Sequence, residues 1–386
     1  DEIIDRRGSQ CDKWDGMEQK FGVSPKTGLS MWVADMDFRP PSCVTDALRG
    51  MLDHGIFGYY GSDASYREAI CWWMQKRHGW SVDPSWIFTT HGLVNGTGMC
   101  VDAFSEPGDG VVLFTPVYHA FARVINGAKR RVVECTLVQR DGAYEMDIEA
   151  YDKLMDGSEK IVILCSPHNP GGRVWLREEL EQLAAFAKRH DLVLVSDEIH
   201  HDLVFPGSTH IPMSHVEGID DRLVMMTSTT KTFNVAGAHS GNVIIADPKL
   251  RARFAQRMAG LGMSPNSFGT VMAEAAYSPE GATWTDELIA YLDTNRKLFD
   301  EGVNAIPRLR SMNLEATYLS WVDFTDTGMG REEFTQRVEQ KAGIAANRGP
   351  TFGTGGESFL RFNIALPRVR IEDAVKRLQN AFGDLQ

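Results

Sequence analysis

The chain has 386 residues, 43% of them apolar and 24% charged; these are ordinary globular proportions and exclude disorder, collagen-like repeats and a mucin-like stalk. Its 40 Lys+Arg against 52 Asp+Glu leave a net charge of −12, which would repel a phosphate backbone, so a small-molecule site is expected and nucleic acid is not. No apolar run reaches the about 20 residues that a membrane-spanning helix needs, so no membrane partner is expected.

At roughly 100–200 residues per domain the length suggests two domains. Asp1-Glu2-Ile3-Ile4-Asp5 lacks the basic flank and apolar stretch of a signal peptide. Without an initiator methionine, the chain is expected to begin inside its gene product or after a removed segment. Residues 1–45 are loop-rich in Gly, Pro and Trp, with no strand–helix rhythm, and are expected to pack on the second domain or on a partner subunit. Seven short apolar runs follow, at 86–90, 111–115, 131–135, 161–165, 192–196, 223–227 and 242–246. Most are continuously apolar, as strands buried on both faces of a largely parallel sheet are. The stretch 177–190 sets Leu180, Leu183, Ala184 and Ala187 on one stripe and ends in Lys188, Arg189 and His190, where cations suit the helix dipole; it predicts a crossover helix. Beyond about residue 280 the pattern becomes a helix over 284–305, strands over 316–324 and 359–365, and helices over 331–342 and 371–382. The expected division is an N-terminal segment 1–45 packing with the small domain, a large α/β domain 46–283 and a small α+β domain 284–386. The six cysteines, Cys11, Cys43, Cys71, Cys100, Cys135 and Cys165, never fall two or three apart, so neither a zinc ribbon nor a redox pair is expected. Reduced thiols and a cytoplasmic location are the expectation.

In a parallel α/β sheet, ligands bind beyond the carboxyl ends of the strands. The first strand is followed by Thr90-His91-Gly92-Leu93-Val94-Asn95-Gly96, a turn that opens a helix and leaves backbone N–H groups for an anion. Later strands are followed by Thr115-Pro116-Val117-Tyr118, by Ser166-Pro167-His168-Asn169-Pro170-Gly171, by Asp197-Glu198-Ile199-His200 and by Ser228-Thr229-Thr230-Lys231. An anion cradle, an aromatic ring, an amide, a carboxylate and an amine thus converge on one sheet edge. A pyridoxal phosphate (PLP) site needs those parts: a lysine for a Schiff base, a carboxylate for the pyridine nitrogen, an aromatic face and a phosphate cradle.

Their order resembles the aspartate-aminotransferase fold group of PLP enzymes, the type I PLP-dependent transferase fold, and Arg361-Phe362-Asn363-Ile364-Ala365 is similar to that group's substrate-carboxylate motif. Within the group, Lys13-Trp14-Asp15, Met31-Trp32-Val33-Ala34-Asp35-Met36-Asp37-Phe38, Phe57-Gly58-Tyr59, Asp197-Glu198-Ile199-His200 and Lys231-Thr232-Phe233-Asn234 most resemble the MalY/PatB-type cystathionine β-lyases, or C–S lyases. The resemblance implies a large domain with a mostly parallel seven-stranded sheet between helices, a smaller α+β domain, and a homodimer with shared active sites. It implies that Lys231 carries PLP, that Asp197 partners the pyridine nitrogen, that Asn169 donates to the ring hydroxyl oxygen and that Tyr118 stacks on the ring. Gly92, Leu93, Ser228 and Thr230 would hold the phosphate, with Tyr59 reaching the neighbouring subunit's phosphate. Arg361 would bind the substrate carboxylate, with the Ala34 backbone beside it. Two positions depart from the aminotransferase pattern: His200 stands where a tyrosine commonly bonds the ring hydroxyl, as in the β-lyases, and His239 stands where an arginine usually meets the phosphate.

Other readings are weaker. His200, His201, His210 and His215 with Asp197 and Asp202 lack His-Glu-x-x-His spacing, so no metal is expected. Gly92, Gly96 and Gly98 do not fit Gly-x-Gly-x-x-Gly, which disfavours a dinucleotide fold. The expected activity is carbon–sulfur β-elimination on a small amino-acid thioether; the alternatives are an aminotransferase and a regulatory binding protein on the same fold.

Overall fold

A computed structural model describes residues 2–385; Asp1, the first residue of the N-terminal stretch read above, lies outside the described residues. The seven apolar runs form one sheet: β1 (Ile87–Thr90), β2 (Gly110–Leu113), β3 (Arg131–Glu134), β4 (Glu159–Cys165), β5 (Val193–Asp197), β6 (Leu223–Thr227) and β7 (Gly241–Ile244). Their spatial order is β1-β7-β6-β5-β4-β2-β3. The contiguous block β3-β2-β4-β5-β6 is parallel, whereas β7 runs antiparallel to both β1 and β6. Strands β2, β6 and β7 are buried at every residue, which accounts for their unbroken apolar reading. The crossover helix spans Arg177–Arg189 and buries Leu180, Leu183, Ala184, Phe186 and Ala187. Glu179 in its first turn accepts from the Leu176 N–H at 2.7 Å, relieving one of the helix's unpaired donors.

A second, four-stranded antiparallel sheet comprises β8 (Arg310–Ser311), β9 (Leu319–Asp323), β10 (Asn347–Arg348) and β11 (Phe359–Asn363), in the order β8-β9-β11-β10. It shares a core with the helices Pro279–Asn304 and Arg368–Ala381. The helix read at 331–342 begins as Arg331–Gln336 and continues as a wider π-turn, Arg337–Lys341. The 26-residue helix Pro279–Asn304 packs on the cores beside both sheets. Near its start Trp284 stacks on Phe233 at 5.8 Å, and near its end Phe299 packs on Phe362 at 5.5 Å. Asn295 in between donates to the Ile364 and Leu366 carbonyls.

The N-terminal segment carries two short helices, Asp12–Asp15 and Met17–Phe21, and a two-residue strand, Leu29–Ser30, that pairs in parallel with Ile344–Ala345. Residue 45 falls inside the helix Ser42–His54, and residue 284 inside Pro279–Asn304. All six cysteines are free, and Cys100, Cys135 and Cys165 are buried. Among the described residues no helix is long and apolar enough to cross a membrane.

Candidate active site

A cavity of about 930 Å³ opens at the carboxyl ends of the parallel strands, and Ala34, Gly92, Leu93, Tyr118, Asn169, Asp197, His200, Thr230, Lys231 and His239 all line it. Most reach it from a strand end or the turn that follows; Ala34 comes from the irregular segment 32–38 and His239 from the turn before β7. Helix α1 (Leu93–Phe104) starts beyond β1, and Gly92 at its N-cap has φ +83° and no side chain to cap the first turn. A left-handed conformation of this kind favours glycine, and the uncapped N–H groups offer an anion a seat at the positive end of the dipole. Gly241 lets the backbone of β7 close on this turn: a Cβ there would lie 2.9 Å from the Gly92 carbonyl carbon. His239, exposed and itself in the left-handed region, brings Nδ1 to 3.9 Å from where a Gly92 Cβ would sit.

Lys231 occupies a one-turn helix, Thr229–Thr232, directly beyond β6. The Ser228 hydroxyl caps this turn, accepting from the Thr230 N–H at 3.1 Å and donating to the Ser240 carbonyl at 2.7 Å. Ser228 is therefore buried behind Thr230 and is not on the cavity wall. From the far side, the Thr232 hydroxyl donates to Asp202 Oδ2 at 2.8 Å. Lys231 Nζ donates to the Ala34 carbonyl at 2.6 Å, and the Tyr318 hydroxyl donates to the same oxygen at 2.9 Å. Burial pulls the Lys231 amine down to about 8; the charge of Asp35 opposes this, Arg361 reinforces it and Asp197 opposes it.

Asp197 ends β5, buried, with Oδ1 accepting from the Ile199 N–H at 3.1 Å. Burial pushes its carboxyl up to about 7, the Ile199 bond and Lys231 holding it back and Glu198 adding to the rise. Such a carboxylate lacks a close cation, which a protonated pyridine nitrogen would supply. His200 is buried, with Nδ1 unpartnered, and burial, then Lys231 and Arg361, hold it well below the usual imidazole range.

Arg361, on β11, brings the four-stranded sheet into the site. Its Nη1 donates to Asn169 Oδ1 and its Nη2 to the Trp32 carbonyl, each at 2.9 Å, while Nε is buried without a partner. Its guanidinium lies over the Phe352 ring at 5.0 Å. With its carbonyl oxygen engaged, Asn169 keeps its amide nitrogen to donate. Tyr118 meets Phe121 edge-on at 5.6 Å, and burial raises its hydroxyl. Tyr59 stands apart: it is fully exposed, in the segment with Ile56 and Phe57, which are also exposed.

The buried histidines sit behind Asp197. His210 Nε2 pairs with Glu198 Oε2 at 2.8 Å, and His78 Nε2 with Asp202 Oδ1 at 2.8 Å. His201 Nε2 lies 3.3 Å from Asp202 Oδ2. The atoms of His78, His201 and Asp202, and those of Glu198, His201 and His210, fall within 4.8 Å of one another; His215 belongs to neither group.

Sequence reasoning missed Tyr318, Asp35, Asn234 and Asn363 as site residues. Asn234 Nδ2 donates to the Met36 and Phe38 carbonyls, and Asn363 Nδ2 to those of Val33 and Asp35. Their signal was their place three residues after Lys231 and two after Arg361; Tyr318 carried none.

The buried unpartnered nitrogens of His200 and Arg361, the uncapped helix start at Gly92 and the carboxyl–amine pair of Asp197 and Lys231 fit a phosphorylated pyridine cofactor. The family described as aminotransferase class I and II matches residues 28–378. The chain is 40% identical over 387 residues to cystathionine beta-lyase PatB of Bacillus subtilis, covering 99% of each, and 32% identical to protein MalY of Escherichia coli, covering 98% of this chain and 97% of that one. Cystalysin from Treponema denticola, whose crystal structure contains pyridoxal 5'-phosphate, superposes with a TM-score of 0.94 at 35% identity, covering 100% of this chain and 98% of that one. The PLP-bound C–S lyase from Staphylococcus hominis gives 0.90 at 30% identity, covering 100% and 98%.

Proposed function

This chain belongs to the aminotransferase class I and II family, and from that premise we propose how its residues work: it is a PLP-dependent carbon–sulfur β-lyase that releases thiol, pyruvate and ammonia from an amino-acid thioether. The observation that carries the reading is the meeting of Lys231, Asp197 and Asn169 around one cavity, with Arg361 bonded to Asn169 at its edge, in a chain resembling cystathionine beta-lyases along its whole length.

Lys231, Asp197, Asn169, Tyr118, Gly92, Leu93 and Thr230 would hold PLP, with Ser228 acting through its cap on the Lys231 turn, His200 buried beside the cavity and His239 exposed at its rim. When bound, the cofactor supplies an electron sink for the pair left at the substrate Cα. Arg361 grips the α-carboxylate through its planar fork, whose geometry suits a bidentate pair. An amine with a pKa of about 8 is partly neutral at physiological pH, so Lys231 can take the Cα proton, with the Ala34 carbonyl accepting one of its N–H bonds and orienting it. Asp197 would hold the cofactor's pyridine nitrogen in its protonated, cationic form. The β carbon–sulfur bond then breaks with its electron pair on sulfur, and Lys231 holds the proton that the departing thiolate can take up. The released enamine hydrolyses to pyruvate and ammonia.

The wholly exposed Tyr59, with the exposed Ile56 and Phe57 beside it, supports a homodimer in which Tyr59 reaches the partner's phosphate seat. We assign the chain an N-terminal segment 1–45, a large unit 46–283 and a small unit 284–386, and a cytoplasmic location in keeping with six unpaired thiols. The experiment is direct: purified protein given cystathionine or another S-substituted cysteine, with no 2-oxo acid, should form pyruvate, ammonia and thiol in equal amounts. Turnover that needs a 2-oxo acid and makes a new amino acid would make it an aminotransferase instead.

A further inference from the structure

Residues 32–38 form a strap without regular secondary structure that crosses between the two units. The large unit holds it through Asn234, the small unit through Asn363 and through Asn347, whose Nδ2 donates to the Trp32 carbonyl at 3.0 Å. The same strap offers one carbonyl to Lys231, that of Ala34, and one to Arg361, that of Trp32.

On the side away from the cavity lies Lys13, wholly buried, a state lysine rarely tolerates without paired charge. Its Nζ donates to the Asp35 carbonyl at 2.9 Å and lies 3.1 Å from Asp37 Oδ1 and 3.5 Å from Asp35 Oδ1. Arg6 bridges the same two carboxylates at 2.9 and 2.7 Å, making a neutral set of two cations and two anions. The Lys13 carbonyl in turn accepts from Trp32 Nε1 at 2.9 Å and from the Ser30 hydroxyl. Lys13 thus holds the strap at both ends of the stretch that touches Lys231 and Arg361.

We propose that Lys13 is a positioning residue of the active site: it pins the strap so that the Ala34 carbonyl and the Asp35 charge face Lys231, and its own cation offsets part of that charge. Asp35 is the shared element, flanked by Lys13 and Arg6 on one side and Lys231 on the other. The other charged or titratable groups about Lys231 are Asp197 at the end of β5, His200 in the following turn, Arg361 on β11, and the hydroxyls of Tyr118 and Tyr318. None of these touches Lys13.

The proposal rests on Lys231 being the reactive amine but needs no lyase activity for its test. Competitive acetylation of the full-length chain, freed of cofactor, across a pH series and read by the mass of the Lys231 peptide, gives the pH midpoint at which Lys231 loses its proton. Removing the Lys13 cation in Lys13→Met leaves Asp35 less neutralised, so the midpoint should rise by about half a pH unit or more, a size typical of one charge at second-neighbour range. Asp35→Asn should lower it, and Lys13→Met/Asp35→Asn should lie above Asp35→Asn alone and return toward wild type. A midpoint unmoved by Lys13→Met overturns the proposal. Should Lys13→Met fail to fold, the comparison of the double variant with Asp35→Asn decides, and equal midpoints overturn it. Absence of β-elimination in the wild type would sink the lyase reading and leave these midpoints as informative as before.

Discussion

Replacing Asp197 by asparagine should stabilise the chain when the cofactor is absent and weaken it when the cofactor is present. Asp197 is buried with one backbone N–H as partner, and its carboxyl sits at about 7 against an ordinary value of 3.8. The unfolded chain therefore ionises this group more readily than the folded one, so its contribution lowers stability progressively as pH rises from 3.8 to about 7. At about 1.4 kcal/mol per pH unit, the ionised carboxylate costs the cofactor-free protein about 4 kcal/mol above pH 7, and less than half of that at pH 5. Asparagine keeps the acceptor for Ile199 without the charge. Urea unfolding of the cofactor-free full-length chain should place the Asp197→Asn midpoint above wild type at pH 8, with the gap shrinking by pH 5. With cofactor added the order should invert, because the cation that repays the cost in wild type finds no anion in the variant. Equal midpoints at pH 8 without cofactor, or a gap independent of pH, would refute the reasoning.

Lys231→Ala should abolish borohydride trapping of cofactor on the protein, checked by mass; trapping on another lysine would reassign the amine. Arg361→Ala should raise KM and slow Cα proton removal, by about 10–100-fold in kcat/KM for the loss of a charge-assisted pair, with cofactor absorbance retained. Loss of the cofactor instead would mean that its bond to Asn169 matters more than its hold on substrate. If Tyr59 serves the neighbouring subunit, mixing inactive Lys231→Ala chains with weakened Tyr59→Ala chains should restore activity, since one site of each hybrid dimer has both residues; no recovery would place Tyr59 outside the site.

The central sheet was legible because most of its strands are buried on both faces, so a nearly unbroken apolar run carries the signal; the edge strand β3, with Arg131 and Glu134 exposed, is the exception. The reading placed β6 at its observed ends and the others within about two residues. The short strand Leu29–Ser30 was not legible, for its partner Ile344–Ala345 lies more than 300 residues away and two residues carry no periodicity. The π-turn at Arg337–Lys341 was hidden for a related reason: it keeps the apolar spacing of the helix it extends. In the site, Lys231 and Asn169 follow strand ends and Asp197 closes one, which made their order legible, whereas the cap that the Ser228 hydroxyl makes on the Lys231 turn was not. Tyr318 meets the site through the Ala34 backbone carbonyl, a contact that depends on the path of the chain and leaves no pattern in side-chain order.

The helix Pro279–Asn304 spans about 39 Å at 1.5 Å per residue, and it touches the neighbour of Lys231's turn through Trp284 and the neighbour of Arg361 through Phe299. If Lys231 takes the proton and Arg361 anchors the carboxylate as proposed, the helix acts as a caliper between the two. A caliper set for a carboxylate bonded directly to the carbon that loses its proton rejects a substrate with one more methylene between the two. β-Amino acid thioethers should therefore be refused however well their sulfur substituents fit, so that gauge is set by a helix with no reactive group of its own.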